Sequence, residues 1–341
     1  MKLTKYRANP IFVPEKNNPW EAMCVLNPAV VYVEEKKEFV MLYRAAGFDN
    51  AHRIVLGLAT SKDGIHFTRC FKEPVYDLHT DEPDGGSIED PRLIQMGNAY
   101  YLVYAARPWF CGRYWLPPEE RWEGGTRYKD PQEDAPLYLR KNYSVSYLAY
   151  SEDLIHWKRL GRLSDPRFDD RDNVIFPEKI KGKYWKLSRP YRPDTPQGYD
   201  HPGIWIASGD DMIVYEEPKL LYPSGLNDWQ DNRVGVGCPP MKTKDGWLIL
   251  FHGVSQKDSL YRIGFMLLDL EDPTKILSIS KEAVMEPDQE FEKSPFYPGC
   301  VFPTGWVNRD GLLYIYYGCG DQYISLATVK LDDVLNALKQ E

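Results

Sequence analysis

Helical periodicity is almost missing from this chain of 341 residues. The last stretch, Leu331 to Lys339, is the best helix candidate, so an all-α fold is excluded. No apolar run approaches the roughly 18 residues of a membrane span. The start, Met1-Lys2-Leu3-Thr4-Lys5-Tyr6-Arg7, has no apolar segment after its charges, which predicts a cytoplasmic protein without a secretory leader. Basic surplus is lacking too: the net charge is −8, which speaks against nucleic acid or an anionic membrane surface as partner. The six cysteines (Cys24, Cys70, Cys111, Cys238, Cys300, Cys319) show no CxxC or other metal-ligand spacing. They are expected to be reduced thiols, mostly buried as small hydrophobes, and no metal is implied.

Aromatic residues are what the chain has in quantity, with 24 tyrosines and 10 tryptophans. Such a load suits strands, and it also suits sugars, whose C–H faces stack on rings.

The chain repeats itself. Prolines expected to open a strand recur in Asn27-Pro28-Ala29-Val30, Asp90-Pro91-Arg92-Leu93, Phe176-Pro177-Glu178-Lys179, Pro239-Pro240-Met241-Lys242 and Phe302-Pro303-Thr304-Gly305. Three of the four intervals are about 63 residues, a period that belongs to repeat architectures. After each proline come a turn and an aromatic strand, such as Glu38 to Arg44, Lys183 to Arg189 and Trp247 to His252. A third strand then runs into an acidic turn: Gly57 to Phe67 and Tyr147 to Trp157 are close copies. Five units of three or four short strands predict an all-β fold, a five-bladed β-propeller occupying residues 1–341 as one catalytic domain with a short C-terminal helix. A two-domain β-sandwich is the alternative, and it leaves the regular spacing unexplained. The second interval is longer by about 23 residues, and the excess falls in an aperiodic insertion, Pro108 to Asn142. Its aromatics (Trp109, Phe110, Tyr114, Trp115, Trp122, Tyr128) suggest a lid over the functional face or a contact with a second copy of the chain in a homo-oligomer.

In a propeller, residues at equivalent strand ends converge on one funnel. The proline strands contribute Asn27, Glu89, Asp90 and, just upstream of the third, Arg171. The second strands end in Arg44, Arg189 and His252; Arg233 precedes the fourth proline strand and Asp321 follows the last aromatic strand. Carboxylates suited to handling a sugar and donating a proton therefore meet basic residues suited to a tetrahedral oxyanion such as phosphate.

The motifs that carry these residues are Glu89-Asp90-Pro91-Arg92, Arg171 ahead of Val174-Ile175-Phe176-Pro177-Glu178, Leu187-Ser188-Arg189-Pro190, Arg233-Val234-Gly235-Val236-Gly237, Gly246 to Val254, and Tyr316-Tyr317-Gly318 before Asp321. Over nearly the whole chain they resemble glycoside hydrolase family 130, the inverting β-mannoside phosphorylases and their hydrolytic relatives. The resemblance implies a five-bladed propeller that cleaves a β-mannoside with inorganic phosphate as co-substrate, and needs no cofactor. It implies Asp90 as general acid, its proton relayed through the 3-hydroxyl of the mannosyl unit. Arg171, Arg189, Arg233 and His252 fall on phosphate-binding positions; Asn27, Arg44 and Asp321, with Glu89 beside them, fall on positions that hold the sugar. Asp172 departs from the asparagine common in phosphorylase relatives, and a carboxylate there repels phosphate unless it turns away. β-1,2-Mannobiose is slightly favoured over β-1,4-linked substrates. An inverting β-mannosidase and a non-catalytic sugar-binding propeller are the competing readings.

Overall fold

A computed structural model of the chain describes residues 1–78, 84–113, 116–120, 134–191, 202–293 and 296–341. Its strands form five antiparallel sheets, four of them built from consecutive stretches of chain, which makes the fold a five-bladed β-propeller. The first blade holds Cys24–Val33, Glu38–Ala46, Ile54–Ser61 and Thr68–Arg69. The second holds Ser87–Met96, Ala99–Arg107, Val145–Ser151 and Lys158–Arg162. Asp170–Ile175, Tyr184–Pro190, Ile204–Gly209 and Lys219–Tyr222 make the third. In the fourth, Arg233–Val236 and Met241–Lys242 both pair with Trp247–Val254, followed by Tyr261–Leu268 and Ile276–Ile279.

The fifth blade closes the ring. Val301–Arg309, Leu312–Cys319 and Tyr323–Lys330 come from the end of the chain, while its outer strand is Thr4–Lys5 from the beginning. The two-residue strand carries no period that a sequence pattern would reveal. Lys5 fastens it, with Nζ 2.6 Å from both Asp288 Oδ1 and Glu292 Oε2. Glu292 is fully buried and also accepts the Tyr317 hydroxyl at 2.9 Å and the Asp288 and Gln289 amides. The expected C-terminal helix is present as Leu331–Leu338, packed through Val334, Leu335 and Leu338 onto the fourth and fifth blades. A five-residue helix, Leu137–Lys141, interrupts the insertion, which otherwise shows no period. Tyr114, Trp115, Trp122 and Tyr128 of that insertion lie outside the described residues.

The repeated prolines do not open strands. Pro28, Pro91 and Pro303 lie inside the innermost strands at β-bulges, Pro240 joins the two short inner strands of the fourth blade, and Pro177 follows the third blade's inner strand. A bulge leaves one residue outside the ladder, so a missing N–H costs nothing there. In the third blade the equivalent bulge falls between Arg171 and Val174, at Asp172-Asn173. Asn27, Asp90 and Asp172 thus share one position, all with left-handed backbone (φ 44°, 50° and 54°). Asn and Asp are the non-glycine residues that tolerate this region best.

Removing the Lys5 ammonium strands the buried Glu292 carboxylate, and losing one partner of a buried pair costs about 3 kcal/mol. Lys5→Ala is therefore expected to lower the unfolding free energy by about 3 kcal/mol, read as a lower urea midpoint at an unchanged denaturant slope. A midpoint within error of the wild type would mean that the closure is held by the strand pairing alone.

Candidate active site

The bulges and strand ends at one mouth of the central channel enclose a cavity of about 380 Å³. Seven of the nine residues expected from the sequence line it: Asn27, Arg44, Glu89, Asp90, Arg171, Arg189 and Asp321. Arg233 and His252 stand behind the wall. Arg233 donates to the hydroxyls of Tyr261 and Tyr297, at 2.9 and 3.1 Å, and both tyrosines line the cavity. His252 is fully buried, neither ring nitrogen has a hydrogen-bond partner, and Nε2 lies 3.6 Å from Asp172 Oδ2. Burial pushes its pKa down to about 3; Asp172 opposes this, and Arg189, Arg233 and Arg92 add to it. The ring is neutral at neutral pH, so it adds no charge to a cationic pocket.

On the side built by blades one, two and five, Asp90 is held through one oxygen. Asn27 Nδ2 and Arg44 Nη1 donate to Oδ1 at 2.7 and 2.9 Å. Among the described residues Oδ2 has no partner. Gly318 of the fifth blade makes room for Asn27: a Cβ would stand 2.0 Å from Asn27 Oδ1. Glu89 points its carboxylate at Arg44 (3.2 Å), Arg107 (3.6 Å) and the Ser87 hydroxyl (2.7 Å). Burial alone would raise its pKa, but Arg44, Arg107 and Arg171 hold it well below the usual carboxylate range. Asp321 shows the reverse: burial and the neighbouring Asp90 and Glu89 charges outweigh Arg44 and lift it to about 6.

On the opposite side, blades three and four present two arginine forks. Arg171 Nε donates to Asp169 Oδ1 at 3.1 Å, and Arg189 Nε donates to Asp172 Oδ2. Neither guanidinium has another hydrogen-bond partner among the described residues, so the terminal nitrogens are left for a ligand. Asp172 is turned into the arginines: Oδ1 accepts from Arg92 Nη2 at 3.0 Å, and Arg189 and Arg92 keep it ionised against the effect of burial.

Sequence reasoning missed Arg107, Arg92, Asp169, Tyr261 and Tyr297. Arg107 ends the second strand of its blade two residues beyond the place that holds Arg44 and Arg189, where this blade has Ala105, so a strand-end search extended by one turn of the pleat finds it. Tyr297 sits on an aperiodic connection before the fifth blade and gives no repeat signal. Both ends of the insertion stand at the cavity: Cys111 and Asn142 line it, and Asn142 O accepts from Arg107 Nη1 at 2.6 Å.

Comparison with known proteins gives a consistent set. The sequence pattern of a family described as beta-1,4-mannooligosaccharide phosphorylase, glycoside hydrolase family 130, matches residues 2–114 and 137–340. A 1,2-beta-oligomannan phosphorylase from Thermoanaerobacter sp. (strain X514) is 34% identical over 98% of this chain and 99% of its own. A beta-1,2-mannobiose phosphorylase from the same organism is 31% identical over the same shares. Among solved structures, the Listeria innocua beta-1,2-mannobiose phosphorylase bound to beta-1,2-mannobiose aligns over 100% of both chains, with a TM-score of 0.78 and 24% identity.

The raised pKa of Asp321 has a stability consequence. Unfolded, this carboxyl ionises near 3.8; folded, near 6. The folded state therefore holds the proton more tightly, and the cost of burying the charge is absent below about pH 4, grows to about pH 6 and is constant above. Allowing for partial exposure to the cavity, Asp321→Asn is expected to gain about 2 kcal/mol over the wild type at pH 7.5 and nothing at pH 4. Urea unfolding of both proteins across this range checks it; parallel stability profiles would contradict the shift.

Proposed function

The chain belongs to glycoside hydrolase family 130, and from that membership we propose that it is an inverting phosphorylase of β-mannosides, with β-1,2-linked mannobiose or oligomannoside as its preferred substrate. The reaction yields α-mannose 1-phosphate and a shortened sugar. The observation that carries this reading is the pair of arginine forks, Arg171 and Arg189, each with Nε tied to a carboxylate and its remaining donors left to the cavity that also holds Asp90. Two forks fixed from behind are a preorganised receptor for a tetrahedral oxyanion, with the orientation entropy already lost on folding.

Cleavage of the glycosidic bond passes through an oxocarbenium-like state, and inversion requires attack from the face opposite the leaving group. Phosphate is an anion at neutral pH and needs placing rather than deprotonating. Arg171 and Arg189 hold it, and Arg233 orients Tyr261 and Tyr297 beside them. Asp90 supplies the proton from Oδ2 through the sugar 3-hydroxyl to the leaving oxygen, while Asn27 and Arg44 steady Oδ1 and stabilise the carboxylate that remains. Glu89 keeps Arg44 and Arg107 in place, and Asp321 accepts from the sugar hydroxyls.

Hydrolysis would require a second carboxylate free to activate water. Glu89 and Asp172 each have both oxygens paired with arginine, and Asp321 stands on the same side of the cavity as Asp90, which favours phosphate as the nucleophile. The protein, incubated with β-1,2-mannobiose and with β-1,4-linked mannosides, is expected to release mannose 1-phosphate only when phosphate is present, and from the β-1,2 linkage faster. Asp90→Asn is expected to lower turnover by about 10³-fold while sugar binding persists. Free mannose formed equally well without phosphate would identify a β-mannosidase instead; binding without turnover by the wild type would identify a sugar-binding propeller.

A further inference from the structure

Asp172 is a carboxylate in the wall of a cavity whose neighbouring groups suit an anion, an arrangement that by charge alone works against the ligand. Burial leaves it 1% exposed, and its left-handed bulge aims it between blades two, three and four. Oδ1 takes the Arg92 donor and Oδ2 the Arg189 donor. The space it fills is built for it: a Cβ on Gly235 would stand 2.2 Å from Oδ2, 2.7 Å from His252 Cε1 and 2.9 Å from Arg189 Cδ. A carboxylate accepts about four hydrogen bonds, so two lone pairs remain on a group that reaches the cavity wall. His252 Nε2 stands 3.6 Å from Oδ2, beyond hydrogen-bond distance, so a ligand that brings its own hydrogen turns those lone pairs from a liability into a contact.

We infer that Asp172 is a specificity residue of the oxyanion pocket: it accepts a hydrogen bond from a P–OH group, so the site takes protonated tetrahedral oxyanions and rejects those that carry no proton. The inference rests on the pocket being the phosphate site described above. Hydrogen phosphate satisfies both sides at once, its ionised oxygens on the Arg171 and Arg189 forks and its hydroxyl on Asp172. Sulfate has the same shape and charge and no hydrogen at neutral pH. In its place the bare carboxylate would face a bare anion oxygen, with repulsion added to an unsatisfied acceptor. The low pKa of Asp172 keeps it an acceptor throughout the working range.

The test is calorimetric titration of the whole protein at neutral pH with phosphate, with sulfate, and with monofluorophosphate, a dianion in which fluorine replaces the hydroxyl. The wild type is expected to bind phosphate at least about tenfold more tightly than either of the others, the worth of one charged hydrogen bond and its loss. In Asp172→Asn the side-chain amide donates where the carboxylate accepted, so sulfate and monofluorophosphate binding should tighten and the preference for phosphate should fall to about threefold or less. The wild-type comparison needs no variant and stands even if Asp172→Asn folds poorly. Sulfate or monofluorophosphate binding the wild type as tightly as phosphate would overturn the inference while leaving the phosphate site intact. So would a parallel loss of all three anions in Asp172→Asn, which is what a purely structural role predicts. A wild type that binds none of the three would overturn the oxyanion pocket itself.

Discussion

One buried guanidinium ties the centre of the propeller together. Arg92 is 2% exposed, and each of its nitrogens is committed: Nη1 to the carbonyl of Asp90, Nη2 to the Asp172 carboxylate, and Nε to the carbonyl of Gly237. The ring of Phe302 lies 5.5 Å from its Cζ. Blades two, three, four and five therefore meet on a single side chain, and the Asn27–Asp90 hydrogen bond brings in blade one. A propeller has no core that runs across its axis; its apolar clusters lie between adjacent blades. What fixes the blades relative to one another at the functional mouth is this polar hub, and the position of Asp90 follows from it.

The site extends the same device outward. Behind each arginine that faces the cavity stands a carboxylate: Glu89 behind Arg44 and Arg107, Asp169 behind Arg171, Asp172 behind Arg189. Buried ion pairs seldom add net stability, since desolvation offsets most of the attraction. Their benefit here is positional. A guanidinium held at Nε keeps its remaining donors in one plane without paying rotamer entropy when a ligand arrives. The same pairing keeps the net charge of the mouth low, so what the cavity offers is placed donors more than a bulk positive potential. His252 fits that scheme, because burial leaves it neutral and it shapes the wall behind Asp172 without adding charge.

Much of the fold was legible in the sequence because a propeller is periodic. The aromatic second strands, the acidic turns and the spacing of the prolines each report the same unit, and the converging strand ends name seven of the fifteen residues that line the cavity. The prolines misled in detail, since they mark bulges within the inner strands and the third blade has Asn173 where the others have proline. What stayed hidden is aperiodic. The Thr4–Lys5 strand is too short to carry a pattern, Tyr297 sits on an irregular connection, and the exchange of partners among Arg92, Asp172 and Arg189 depends on contacts between residues far apart in sequence. Burial was the other unreadable quantity. His252 and Arg189 end equivalent strands, and only packing against Tyr261 and Phe302 decides that the first is sealed away.

The bulge itself links these strands of argument. In three successive blades one residue leaves the ladder in a left-handed conformation and turns its side chain into the channel, and the residue types that accept this backbone are those with short polar side chains. The first blade uses it for a neutral donor, Asn27; the second for an acid, Asp90; the third for a permanent acceptor, Asp172. Their environments separate the two aspartates: Asp90 has one oxygen held and one free, whereas Asp172 has both oxygens bound by arginine. On the proposed reading the carboxyl with a free oxygen is the proton donor. One pinned at both oxygens between two arginines stays charged and can only accept. The repeat that builds the fold thus supplies the same geometric slot three times, and the arginines around each slot decide which chemistry it performs.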